Sequence, residues 1–215
     1  MAAKKWVYLV LTSVLVVLIG CSKEVETPDE GIPSYIYIKV GEIYDLGEIG
    51  PWSSWNKFIA TVWHNGKITG QHVGTCTINC PYDERRCKVV VEPNVTLFRD
   101  PITRWGMDKG DVISREGNDY QMDSETGIIT YNTENHIAPY VGYKFTNNKL
   151  TMTLLFISST YKEDAYKHLE ERYKFAYNQD GSYVFIDRDT YNEASTIVIL
   201  KYYNSSYWGV IYSPK

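Results

Sequence analysis

Leu150-Thr151-Met152-Thr153-Leu154-Leu155-Phe156-Ile157 is the stretch that decides the fold. Leu150, Met152, Leu154 and Phe156 recur at every second position, with Thr151 and Thr153 between them. A period of two places the first set on one face of a strand and the threonines on the other, the pattern of a half-buried antiparallel strand. Asn147-Asn148 lies just upstream. Asparagine tolerates the positive φ of a tight turn, so residues 140–145 are expected to pair with this strand as a hairpin. Residues 196–203 and 207–212 read as a second hairpin, closed at Asn204-Ser205-Ser206. Asn65-Gly66 follows the run 58–64, and Gly117-Asn118 and Asp180-Gly181 repeat the turn chemistry.

One helix stands out, at about residues 161–173. Thr160 and Glu163 have the Thr-x-x-Glu spacing of a capping box. Ala165, Leu169 and Tyr173, four apart, form a narrow inward stripe, which leaves His168 on the outer side beside Glu171 and Arg172. The expected class is therefore mainly β, or α+β, with antiparallel sheets and a single helix packed on a sheet face.

Composition narrows the partners. The chain has 215 residues, with 22 Lys+Arg against 26 Asp+Glu and a net charge of -4, so it lacks the cationic surplus that nucleic-acid binding needs. Its 44% hydrophobic content argues for a folded core rather than a disordered chain. Trp52, Trp55, Trp63, Trp105, Cys76, Cys80 and Cys87 all precede residue 106, whereas 14 of the 19 tyrosines lie from Tyr120 onward. The shift, next to a polar glycine-bearing stretch at 105–111, suggests a β-rich module over 35–108 and a sheet-plus-helix module over 109–215.

The first twenty residues read as an address. Lys4 and Lys5 precede an apolar stretch over 6–19, broken only by Thr12 and Ser13. As a helix it would span about 21 Å, short of the roughly 30 Å hydrocarbon core, which suits a secretory signal over 1–20 better than a permanent span. The segment ends Leu18-Ile19-Gly20-Cys21. This resembles the lipobox of bacterial lipoproteins, and the resemblance implies that Cys21 is acylated and becomes the first mature residue. Acyl chains at one cysteine provide the anchoring that a chain left at net -6 (20 cations, 26 anions) would not obtain from anionic headgroups. Ser22 after the cysteine implies sorting to the outer membrane. Residues 21–34, with Pro28, Pro33 and five charged side chains, read as a tether. The run Leu169-Glu170-Glu171-Arg172-Tyr173, followed by tyrosine-rich hairpins, resembles small outer-membrane lipoproteins of glycan-foraging Gram-negative bacteria.

Chemistry-bearing residues are few. Cys76, Cys80, Cys87 and nearby His72 offer nitrogen and sulfur ligands, but their spacing follows no zinc pattern. In an oxidising compartment a Cys80–Cys87 disulfide across a short turn is the favoured reading, with Cys76 left over or paired with Cys87 instead. The sequence has no His-Glu-x-x-His, Gly-x-Ser-x-Gly or phosphate-binding glycine motif. Asp108 with Asp111, and Asp187 with Asp189 and Glu193, read as turn residues. Trp52 and Trp55, in a Gly/Pro-flanked segment, are the candidate ligand platforms, because exposed indoles stack on sugar rings. The tyrosines as a set read as ordinary strand residues, half buried with wet hydroxyls.

These readings combine into an envelope lipoprotein that acts by binding, with a glycan or an envelope protein as partner and with no cofactor and no metal. A structural subunit of an outer-membrane complex and a carboxylate-dependent glycoside hydrolase are the alternatives.

Overall fold

The computed structural model describes residues 31–82 and 84–215, so Cys21, the signal and most of the tether lie outside the described residues. The described residues are mainly β, with antiparallel sheets and two short α-helices among them. Strands β1 (Tyr35–Lys39), β2 (Ile43–Asp45), β3 (Ser53–Ser54), β4 (Ala60–Val62), β5 (Lys67–Gly70), β6 (Gly74–Asn79) and β7 (Arg86–Glu92) form the amino-terminal part. They build a four-stranded sheet in the order β1-β7-β6-β3 and a three-stranded sheet in the order β2-β5-β4. The β1–β7 pair is parallel, an exception to the antiparallel expectation. Alternation in β1 turns Ile36 and Ile38 inward and Tyr35 and Tyr37 outward.

Helix α1 (Lys109–Glu116) is followed by β8 (Gln121–Met122), β9 (Ile129–Asn132), β10 (Tyr140–Thr146) and β11 (Lys149–Ser158). A short 3-10 turn leads into α2 (Lys162–Glu170), and β12 (Lys174–Gln179), β13 (Ser182–Ile186), β14 (Thr196–Tyr202) and β15 (Tyr207–Pro214) complete the chain. These eight strands form one sheet in the order β12-β13-β14-β15-β11-β10-β9-β8, every neighbouring pair antiparallel. Both expected hairpins are present. Asn147 and Asn148 take φ of 51° and 61° between β10 and β11, and Asp180-Gly181 takes φ of 52° and 75° between β12 and β13. Gly117, by contrast, ends α1 instead of turning a hairpin.

The deciding strand carries a surprise. Its register with β10 passes from Lys144↔Met152 to Phe145↔Leu150, a bulge that leaves Thr151 without a partner. Beyond the bulge the faces exchange: Thr153, Leu155 and Ile157 join Leu150 in the core, while Met152, Leu154 and Phe156 lie half buried on the other side. Thr153 is fully buried, and its hydroxyl donates to the Ile102 carbonyl at 2.7 Å. A polar side chain in a core requires such a partner.

Helix α2 lies on this core face, with Ala165 and Leu169 in the same cluster as Phe185, Val198, Leu200, Val210 and Tyr212. It is shorter than expected at both ends, and its N-cap is Tyr161 with no capping side-chain bond, so the Thr160–Glu163 box is not made. His168 is likewise corrected: it is fully buried against Phe98, its Nδ1 accepting from the Leu97 N–H at 3.3 Å. Residues 32–215 form one compact unit, within which apolar side chains separate into a cluster from Ile36 to Val91 and another from Phe98 to Tyr212. Glu171 ties the two, accepting from the Asn94 and Val95 amides at 2.9 Å each, while its own carbonyl accepts from Val73 at 2.7 Å.

Candidate functional site

The outer face of the eight-stranded sheet holds a broad groove. Register places Asn132, Tyr140 and Phe156 side by side on β9, β10 and β11. Strands about 4.8 Å apart set these three across a floor about 10 Å wide. Tyr203 and Tyr207 stand over Phe156 as edge-to-face partners, with ring centroids 5.0 and 6.2 Å away, and Tyr140 meets Tyr207 at 6.3 Å. Such pairs favour T-shaped geometry because ring edges are positive and faces negative.

Local chemistry fixes those rings. Asn204 Oδ1 accepts from the Ser206 and Tyr207 amides at 2.9 Å each, closing the loop between β14 and β15. The loop is then pinned to the end of β11 by Ser159, whose N–H and hydroxyl donate to the Ser206 and Ser205 carbonyls at 2.9 Å. The opposite wall comes from β8 and its flanks, with Asp119, Gln121 and Asp123 supplying polar groups. The groove encloses about 760 Å³, in the size range of small-molecule sites. The Asp123 carboxyl lies below its usual pKa because the Thr126 hydroxyl and the Glu125 and Thr126 amides hydrogen-bond its charged form. Carboxylates and amides beside aromatic faces match sugar hydroxyls, which both donate and accept, and the apolar faces of sugar rings.

The residues singled out from sequence lie elsewhere. Trp52 is 6% exposed in the amino-terminal core, its indole N–H donating to the Glu48 carbonyl at 3.1 Å. Its ring is thus core material and not an open platform. Trp55 is 68% exposed. The Cys80–Cys87 disulfide is also corrected, since Cys76, Cys80 and Cys87 are free, buried thiols. The turn is tighter than expected: the Cys80 amide donates to Arg85, and Cys87 lies opposite Ile78. Burial pushes the Cys87 thiol up to about 11, with the neighbouring Cys76 adding to the shift. His72 stacks on Phe58 at 4.0 Å, and no three His, Cys, Asp or Glu side chains converge as a metal-binding group among the described residues.

No protein-family model matches this chain, and no curated protein does. The groove residues carry no local motif, since they come from positions 119 to 207 and are brought together by strand pairing alone. The one sequence signal was the excess of tyrosine in the second half of the chain.

Proposed function

We propose that this protein is a lipid-anchored component of the cell envelope that binds glycans in the groove over β9, β10 and β11. One observation carries the reading: Tyr140, Phe156, Tyr203 and Tyr207 are gathered into a single aromatic cluster beside carboxylate and amide side chains. Two of these rings, Tyr140 and Tyr203, are 40% and 58% exposed, so they present area to a ligand without being needed to hold the core. The hydrogen bonds of its own turn hold the Asp123 carboxyl below its usual pKa, which keeps it a hydrogen-bond acceptor beside the rings.

Affinity electrophoresis against a panel of soluble polysaccharides tests this reading. The Tyr140→Ala/Tyr203→Ala protein should lose retention by about thirtyfold, given roughly 1 kcal/mol for each of the two lost ring contacts. Its melting temperature should stay close to that of the unaltered protein, and Trp55→Ala should retain normally. Full retention by the double variant would defeat the groove assignment. The anchor has a separate test in the intact mass of protein extracted from membranes, where an acylated Cys21 is expected and an unmodified one would exclude it.

A further inference from the structure

Arginine is scarce in this chain, with seven in all, and three of them, Arg99, Arg104 and Arg115, line one pocket of about 430 Å³ between the loop before α1 and α1 itself. The carboxylates on this pocket are already engaged. Asp100 accepts from Arg172 at 2.8 Å. Glu116, whose side chain is 6% exposed, accepts from Arg99 and from the Tyr143 hydroxyl, the latter at 2.8 Å. Tyr143, itself fully buried, thereby fixes Glu116, and Glu116 fixes Arg99. The guanidinium groups of Arg104 and Arg115 have no hydrogen-bond or ion-pair partner among the described residues, and nearby Asp108 pairs with Lys149 at 3.0 Å. Asp108 and Asp111 line an adjoining pocket together with Arg104 and Arg115, and the Asp111 carboxylate has no partner among the described residues. In a protein of net charge -4, two uncommitted guanidinium groups beside a preset third make a local cationic site.

The arginine pocket and the aromatic groove each share lining residues with a third cavity. That cavity, of about 400 Å³, shares Arg99, Arg115 and Glu116 with the pocket, and shares Asp119, Tyr131 and Asn132 with the groove. We infer that Arg99, Arg104 and Arg115 form an oxyanion subsite, so that the preferred ligand is an acidic glycan bearing uronate carboxylates or sulfate esters. The assignment of the oxyanion to a sugar rests on the glycan reading above. The guanidinium fork matches the two coplanar oxygens of either group, and neutral sugars offer it no charge to pair.

Methyl glucuronide, glucose 6-sulfate and neutral methyl glucoside serve as probes in an NMR titration of the arginine side-chain Nε–Hε signals. The two anions should shift the Arg104 and Arg115 signals saturably, and the neutral glucoside should not. Whichever anion binds tighter identifies the natural substituent as carboxylate or sulfate. The dissociation constant should rise at least about fivefold between about 20 and about 200 mM NaCl, because the exposed charges are screened. Arg104→Gln/Arg115→Gln, two exposed positions, should weaken anion binding by about tenfold, as expected for a lost charge-assisted pair. Absent shifts, equal shifts with the neutral sugar, or unchanged binding by the double variant would overturn the subsite. The two readings separate cleanly. Retention of polysaccharide with no anion response sinks the subsite and leaves the groove, whereas anion binding at the arginines with no polysaccharide retained sinks the groove and leaves the subsite.

Discussion

Thr151 and Thr153 look interchangeable in the sequence, and the structure makes them opposites. Thr153→Val removes the donor to the Ile102 carbonyl and puts a methyl in its place in a fully buried position. Stranding a partly buried carbonyl costs about 1–3 kcal/mol and the added methyl returns about 0.8 kcal/mol, so a net loss of about 0.2–2.2 kcal/mol, centred near about 1.2 kcal/mol, is expected. For a chain of this size each kcal/mol corresponds to about 2–4 °C, so the central value gives a fall in melting temperature of roughly 2–5 °C. Thr151, unpaired at the bulge and half exposed, has only 3.3 Å contacts to the Lys144 carbonyl and the Thr146 hydroxyl. Thr151→Val should thus stay within about 0.5 kcal/mol, as surface changes usually do. Urea titration followed by far-ultraviolet circular dichroism, with unchanged slope, reads both. Equal effects at the two positions, or a Thr153→Val protein as stable as the parent, would refute the bulge and the face it assigns. The loop held by Thr153 leads from Arg99 to Met107 along the arginine pocket, so the same variant should also weaken anion binding there.

Further consequences can be measured with the same material. Glu171→Ala removes the acceptor of two amides that join the amino-terminal cluster to α2 and should cost about 1–2 kcal/mol; an unchanged urea midpoint would show that the clasp is not holding. Burial lowers the pKa of His168 and of His72 below the usual 6.5, so the folded state resists protons that the unfolded chain accepts. Stability should be flat above about pH 7 and fall as the pH drops through about 6.5. A second loss should follow below about pH 4. There Asp100, which burial pushes up but His168 and Arg172 bring down more strongly, gives up its charge. A stability that rises on acidification from neutrality contradicts this sign. Cys76, Cys80 and Cys87 should resist alkylation in the native protein and react fully after unfolding; a cross-linked Cys80–Cys87 peptide in the digest would contradict the free thiols.

Much of the fold was legible because its signals are local. Positive φ at Asn147, Asn148, Asp180 and Gly181 needs only a turn-tolerant dipeptide, and the flanking β-rich runs then pair by proximity. Helix α1 was missed because Lys109-Gly110-Asp111-Val112-Ile113 combines a glycine with adjacent β-branched residues, and only Val112 is buried to hold it. Its N-cap Asp108 is bound instead to Lys149, a partner forty-one residues away.

By itself the sequence determined the strand-rich class, the main hairpins, the place of α2 and the acidic balance, since each follows from nearest-neighbour chemistry. Tertiary structure alone decided which side of each element faces inward. One bulged residue exchanged the faces of β11, the β3 environment drew Trp52 into the core, and packing against Phe98 buried His168. It also made the groove, because Asp119, Tyr140, Phe156 and Tyr203 become neighbours only when strands distant in sequence take adjacent places in one sheet. A period-two pattern states that two faces exist; which of them is covered depends on what the rest of the chain brings to it.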